Sequence, residues 1–350
     1  MKPTPIKPTP IKPTPIKPTL AITMGDPAGV GPEIVLKALQ RPELHAAARL
    51  FVVGSKGVLV AMAGRLGYRP EFLELHETGS DWHSSPEAVA VYGVGELGAG
   101  DVELGRVAEA TGRDSVRYVE TAARLTQEGR ADAIVTAPIN KESMRAAKIP
   151  YPGHTEILGA VLGSPVETMF VVDKLRIFFL TRHLSLRDAI DAISKEGLLK
   201  LLAHVREVLA ELGNDDPVIG VAGLNPHAGD GGIFGDEEIT RLKPAVLEAR
   251  ARGWEVHGPI GADSIFHQAL QGKYDAVVSL YHDQGHIAAK TYDFNRTVSV
   301  TTGLPTIRTS VDHGTAFDIA GQGVADPTNM IEAIKVAAHM AGKRLERRRA

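Results

Sequence analysis

Short apolar runs alternate with longer amphipathic stretches along most of the chain. The runs Leu20–Met24, Leu50–Val53, Ala133–Thr136, Thr168–Val172, Ile177–Thr181, Val218–Ala222 and Ala276–Leu280 have the length and aliphatic content of buried strands. Pro32–Leu39, Ser115–Glu128, Leu184–Ala192, Ser194–Leu212 and Glu237–Arg252 carry the apolar spacing of amphipathic helices. Strands that alternate with helices predict βαβ units, an α/β class and a largely parallel sheet. The exception is residues 1–19, which repeat Lys-Pro-Thr-Pro-Ile. Proline fixes φ and removes an amide donor, so this stretch is expected to be a disordered or polyproline-II-like tail.

Composition narrows the class. The chain has 350 residues, 43% hydrophobic and 23% charged, enough for two domains. No linker marks a boundary between them. Net charge is −3, and with the four tail lysines set aside the body is near −7. An acidic body without a basic run argues against nucleic acid as a partner. No apolar run approaches the ~20 residues that span a bilayer, and no apolar segment follows the first lysines as in a secretory signal. There are no cysteines, so thiolate ligands and cysteine nucleophiles are excluded. A cytoplasmic enzyme without membrane contact is expected.

In open α/β sheets ligands bind beyond the carboxyl ends of strands. Three strand ends deliver a histidine within a few residues: His183, His227 and His282. Imidazoles are common ligands of divalent ions, and catalytic sites often use three protein ligands; each is equally readable as an ordinary loop histidine. His227 leads into Ala-Gly-Asp-Gly-Gly232, either an anion-binding nest or a flexible turn. His154 and Thr155 precede an apolar helix, where Thr155 caps the helix, or the helix end holds a phosphate. Gly93-Val-Gly-Glu-Leu-Gly98 satisfies a dinucleotide pattern but does not lead into a helical period, so it is not read as one. Arg308-Thr-Ser-Val-Asp-His-Gly-Thr-Ala316 packs a cation, hydroxyls, an acid and an imidazole into nine residues, which marks a site.

Six segments, in order, resemble the 4-hydroxythreonine-4-phosphate dehydrogenase (PdxA-like) family. They are Met24-Gly-Asp-Pro-Ala-Gly-Val-Gly-Pro-Glu33, Thr136-Ala-Pro-Ile-Asn-Lys141, Pro152-Gly-His-Thr-Glu156, Gly223-Leu-Asn-Pro-His-Ala-Gly229, Tyr281-His-Asp-Gln-Gly285 and Arg308–Ala316. The resemblance implies two α/β/α domains with a cleft between them, similar to isocitrate and isopropylmalate dehydrogenases. The first domain would comprise residues 20–140 plus about 300–345, the second about 141–299. It implies a homodimer whose active site is completed across the interface, and one divalent ion (Zn, Co, Mn or Mg) held by His183, His227 and His282. It implies substrate contacts from His154, Thr155, Lys290 and Arg308, with Asp263 near the ion and Lys290 and Asp263 as catalytic residues. NAD would lie against Asp312, His313, Gly314 and Thr315. Ser299 stands where the vitamin-pathway enzymes carry a substrate-binding asparagine. With the segment His286–Val300, this resembles a paralogous branch acting on 4-phospho-D-threonate or 4-phospho-D-erythronate.

The chemistry implied is NAD-dependent oxidation of the C3 hydroxyl of a small phosphorylated hydroxy-acid, followed by loss of CO₂ to give dihydroxyacetone phosphate. The alternatives are the vitamin B6 enzyme acting on 4-hydroxythreonine phosphate, and a non-catalytic protein that binds phosphometabolites.

Overall fold

The computed structural model describes residues 17–75, 82–164 and 166–349. Most of the Lys-Pro-Thr-Pro-Ile tail lies outside the described residues. Twelve strands form one sheet: β1 (Thr19–Thr23), β2 (Arg49–Gly54), β3 (Glu71–Glu74), β4 (Ala88–Gly93), β5 (Ala133–Thr136), β6 (Glu167–Val172), β7 (Leu175–Phe179), β8 (Ile219–Ala222), β9 (Val256–Ile260), β10 (Ala276–Ser279), β11 (Val298–Thr302) and β12 (Ile307–Ser310). Their order is β3-β4-β2-β1-β5-β12-β11-β6-β7-β10-β8-β9. The alternating pattern anticipated an α/β class with a mostly parallel sheet, and this is the architecture observed. Thr19, read as the end of the tail, opens β1, its amide bonded to Asp132 Oδ2 at 2.8 Å.

Antiparallel pairing is confined to the centre, where β12, β11, β6 and β7 each reverse direction relative to the next. Three reversals leave β7, β8, β9 and β10 running opposite to β1, β5 and β12. The carboxyl ends of the two parallel groups therefore lie at opposite edges of the sheet. Five strands were not anticipated. β11 and β12 alternate Val, Ser, Thr and Arg, so one face is polar although all but Ser299 are buried. A search for apolar runs passes over such strands.

Helix boundaries follow capping chemistry. Ser185 and Ser194 accept backbone hydrogen bonds from Asp188 and Gly197 and start the helices Leu186–Ala192 and Lys195–Glu211. The helix expected from Ser115 begins at Glu109 instead. Gly112 conceals its first turns, because it packs where a Cβ would meet the Ser143 carbonyl at 2.1 Å. The expected helix Glu237–Arg252 is a π-type turn at Glu238–Leu242 joined to a helix at Lys243–Ala251. Pro244 lies in its first turn, where the missing amide is harmless.

Helices cover both faces. Thr328–Arg349 packs on β5, β11 and β12, and accepts Thr309 Oγ1 at the Ala333 carbonyl. Neighbouring side chains of a strand point to opposite faces, so Arg308 projects to the other side. A second buried cluster, including Phe170, Ile177, Phe179 and Val277, underlies the helix His282–Tyr292. Among the described residues no helix is long and apolar enough to cross a membrane.

Candidate active site

Strand register assembles the first part of the site. Thr301 pairs with Arg308 across β11 and β12, Ser299 pairs with Ser310, and Ser310 pairs with Thr136 on β5. Directly paired residues share a face, so Thr136, Ser299, Thr301, Arg308 and Ser310 form one polar patch. Arg308 is 5% exposed. Its Nε and Nη2 donate to Thr136 Oγ1 at 3.0 and 2.6 Å, and Nη1 donates to Thr301 Oγ1 at 3.0 Å. Among the described residues no carboxylate forms an ion pair with it. Burial pushes the guanidinium down to about 9, only partly opposed by the Glu156 charge.

His154 stands beside it, at the start of the helix His154–Leu162. Its Nε2 is inaccessible and has no hydrogen-bond partner. Burial, with the neighbouring Arg308 charge, holds the ring well below the usual histidine range, against a backbone hydrogen bond at Ala137. The ring is therefore neutral near pH 7. Thr155 is in the same first turn, but the helix shows no side-chain cap bond, so the capping role considered for Thr155 is absent. A buried guanidinium and an orphaned imidazole nitrogen, side by side, are groups suited to an anion carrying hydroxyl groups.

The Asp312–Thr315 segment follows β12. Lys290 Nζ lies 2.7 Å from Asp312 Oδ2, so two residues singled out for different roles form an ion pair. The Asp312 amide donates to Asn329 Oδ1 at 2.7 Å, and His313 Nδ1 lies 2.9 Å from the Gly314 carbonyl. Thr315 is held by the Val30 amide on its carbonyl and by Asn140 Nδ2 on its hydroxyl. Gly29 permits this contact, since a Cβ there would meet Thr315 at 2.9 Å. This is the structural use of Met24–Glu33. Its Asp26 is fully buried and accepts the Ala28 amide at 2.9 Å. Glu33, also buried, accepts the Gly323 and Ala325 amides and binds Lys37. Asn140 and Thr136 had no role in the sequence reading. As a cap and a strand threonine they look ordinary until register sets them beside Thr315 and Arg308.

His183 and His282 line one cavity whose lining does not include His227. The rings of His183 and His282 lie 6.0 Å apart, on a cavity of about 260 Å³ that Leu184, Tyr281 and Asp283 also line. Asp263 and the backbone of His227 both lie near Gly261, where a Cβ would come within 2.6 Å of Asp263 Oδ1 and 4.0 Å of the His227 Cα. Among the described residues no group of three His, Cys, Asp or Glu is gathered as a metal site. His183 and His227 both hold left-handed backbone, with φ 41° and 54°, and Ala228 and Asp230 continue it. Such residues each cost roughly 1–3 kcal/mol and concentrate at functional sites. The imidazole pair suits a zinc-like ion in donor type and spacing, with a further donor needed to complete it.

Helix His282–Tyr292 joins the two parts. It starts after β10, among the histidines, and runs across β7 and β6 until Lys290 reaches Asp312 after β12. Its 11 residues span about 16 Å, which bridges the opposite sheet edges. Gly285 lets it lie close, since a Cβ would meet Phe179 at 2.6 Å. His286, absent from the sequence-based site, lies on the same helical face as His282 and Lys290.

Comparison with known proteins gives the family. The profile described as "Pyridoxal phosphate biosynthetic protein PdxA" matches residues 46–337. A Fusobacterium nucleatum protein named "Putative D-threonate 4-phosphate dehydrogenase" is 48% identical over 92% of this chain and 97% of its own length. A Clostridium botulinum protein of the same name is 44% identical over 93% and 97%. The crystal structure of 4-hydroxythreonine-4-phosphate dehydrogenase from Klebsiella pneumoniae superposes with a TM-score of 0.87 at 39% identity, covering 93% of this chain and 98% of that one. The chain belongs to the PdxA family.

Proposed function

We propose that this protein is a dehydrogenase that oxidises the C3 hydroxyl of a 4-phosphorylated four-carbon hydroxy-acid and releases its carboxyl as CO₂. The substrate is 4-phospho-D-threonate or 4-phospho-D-erythronate, and the product is dihydroxyacetone phosphate. The observation that carries this reading is the buried Arg308, bonded to hydroxyls alone, beside the orphaned Nε2 of His154. Relatives named for D-threonate 4-phosphate support the substrate class.

Arg308 binds a phosphate or carboxylate, with Thr136 and Thr301 fixing the plane of the guanidinium. His154, kept neutral, pairs through Nε2 with a substrate hydroxyl. Lys290 passes a proton to the Asp312 carboxylate across their ion pair, so that Nζ can take the hydroxyl proton and return a proton to carbon after CO₂ leaves. NAD, held against Asp312–Thr315, would supply the hydride acceptor, and a divalent ion would supply a Lewis acid. His183 and His282 would hold that ion with His227 of a second copy, and Asp263 beside His227 belongs to the same centre. Small-molecule binding and homodimerisation are the only partnerships this reading requires.

The test is steady-state kcat/KM for 4-phospho-D-threonate, 4-phospho-D-erythronate and 4-hydroxythreonine phosphate, with NAD and divalent ion saturating. Ser299 shares the Arg308 face, so the hydroxy-acids are expected to lead by roughly tenfold to a hundredfold, the range for one mismatched buried polar group. Ser299→Asn should narrow that ratio. Preference for the amino substrate would assign the chain to 4-hydroxythreonine phosphate instead. Phosphate binding without NADH formation on any of the three would leave only a binding protein.

A further inference from the structure

The helix His282–Tyr292 repeats a polar ring every four residues at its start, and the second ring, His286, has no part in the chemistry above. Its surroundings are specific. The His286 ring lies on the His282 ring with centroids 3.5 Å apart and planes 13° from parallel. Its Nδ1 is 2.8 Å from the His282 carbonyl; a carbonyl only accepts, so this nitrogen carries the proton. Phe170 meets the ring edge-on at 4.3 Å, and Phe179 lies at 4.6 Å. Both phenylalanines belong to the buried cluster beneath the helix. His286 is thus fixed on one side by the core and on the other by its own helix.

His282 by contrast has a side chain 40% exposed at the first turn of the helix. Its Nδ1 is taken by Asp283 Oδ1 at 2.6 Å, leaving Nε2 as the nitrogen free to bind an ion. A half-exposed imidazole with one bond to a surface carboxylate is not held in one rotamer by that bond alone. The stacked ring is what limits it. Neighbours that orient a ligand without touching the ion typically change metal affinity by about 10–100-fold when removed.

We propose that His286 is a positioning residue, an aromatic plate that fixes the ring of His282 for divalent-ion binding. What it contributes is a flat, core-anchored surface, so another flat ring serves. This rests on the metal reading above. The experiment compares the full-length wild-type, His286→Ala, His286→Phe and His282→Ala proteins. Zn²⁺ affinity is read by competition with a chromogenic chelator, and the ring-current displacement of the His282 Hε1 resonance by NMR in the absence of metal.

The expected result is that His286→Ala weakens Zn²⁺ binding by about 10–100-fold and removes the ring-current displacement. His286→Phe should stay within about threefold of wild type, and His282→Ala should lose the site. Undiminished binding by His286→Ala would overturn the proposal. So would equal loss in the Ala and Phe variants, since the imidazole itself would then be required. If wild type takes up no Zn²⁺, the metal reading fails; a ring-current displacement unchanged in His286→Ala then overturns the positioning role by itself. Melting curves for each variant separate either result from misfolding.

Discussion

Around Arg308 the polar groups sit on three neighbouring strands, are buried and are fixed by register. Around His183 the ligand candidates sit on loops and a helix end, and two of the three hold left-handed backbone. In the first region Arg308 and the hydroxyls that hold it come from one chain. The second gathers two imidazoles on one cavity, whose lining includes neither His227 nor Asp263. The difference fits the proposed division of labour, with an anion-binding end within each copy and a metal end that a second copy would complete. Helix His282–Tyr292 ties them, since it starts at His282 and its Lys290 pairs with Asp312.

The largest expected effect of a single change in the anion pocket is from Arg308→Ala. Losing charged hydrogen bonds to substrate should cost on the order of 3 kcal/mol, or about two orders of magnitude in kcat/KM. The free protein should melt no lower, because a desolvated cation without a carboxylate does not stabilise it. A lowered melting temperature with unchanged kinetics would move Arg308 from the site to the scaffold.

Acid should act on both regions at once. Burial lowers the pKa of His154, and that of His286 to about 4. The unfolded chain takes up these protons near pH 6.5, whereas the fold resists them. Stability present above pH 6.5 is therefore lost as pH falls toward 4. Melting temperatures measured from pH 7 to 4.5 should decline, and less steeply in His154→Asn. A flat profile, or the same slope in the variant, would show that His154 is not held neutral.

The smallest effect concerns neither region. Deleting residues 2–16 should change kcat/KM and melting temperature negligibly, since a proline-rich repeat offers little surface to bury. A melting temperature lowered by several degrees would show that the repeat docks on the body.

Much of this site was legible as residue type and little of it as geometry. The strand-end rule singled out His183, His227 and His282, and motif density singled out Arg308–Ala316. It did not reveal that strand ends fall at two opposite edges, because β11 and β12, with their polar faces, hide the reversals at the sheet centre. Thr136 and Asn140 are legible only as members of a motif, and Thr301 not at all, for a related reason. A threonine in a strand or an asparagine at a cap has a sufficient local explanation, and only pairing register brings it to Arg308 or Thr315. His286 opens a segment that marks the branch but carries no role there; its meaning comes from the ring against which it stacks.

The division between the two regions is tested most directly by mixing inactive variants. His227→Ala and His183→Ala are each expected to lose turnover alone. If His183 and His282 come from one copy and His227 from the other, a mixed dimer has one site with both lesions and one with none. Unfolding and refolding the two variants together should then restore about a quarter of wild-type activity, by random pairing of two copies. No activity in the mixture, with mixed dimers demonstrated by mass, would mean that each chain holds all three histidines in its own site.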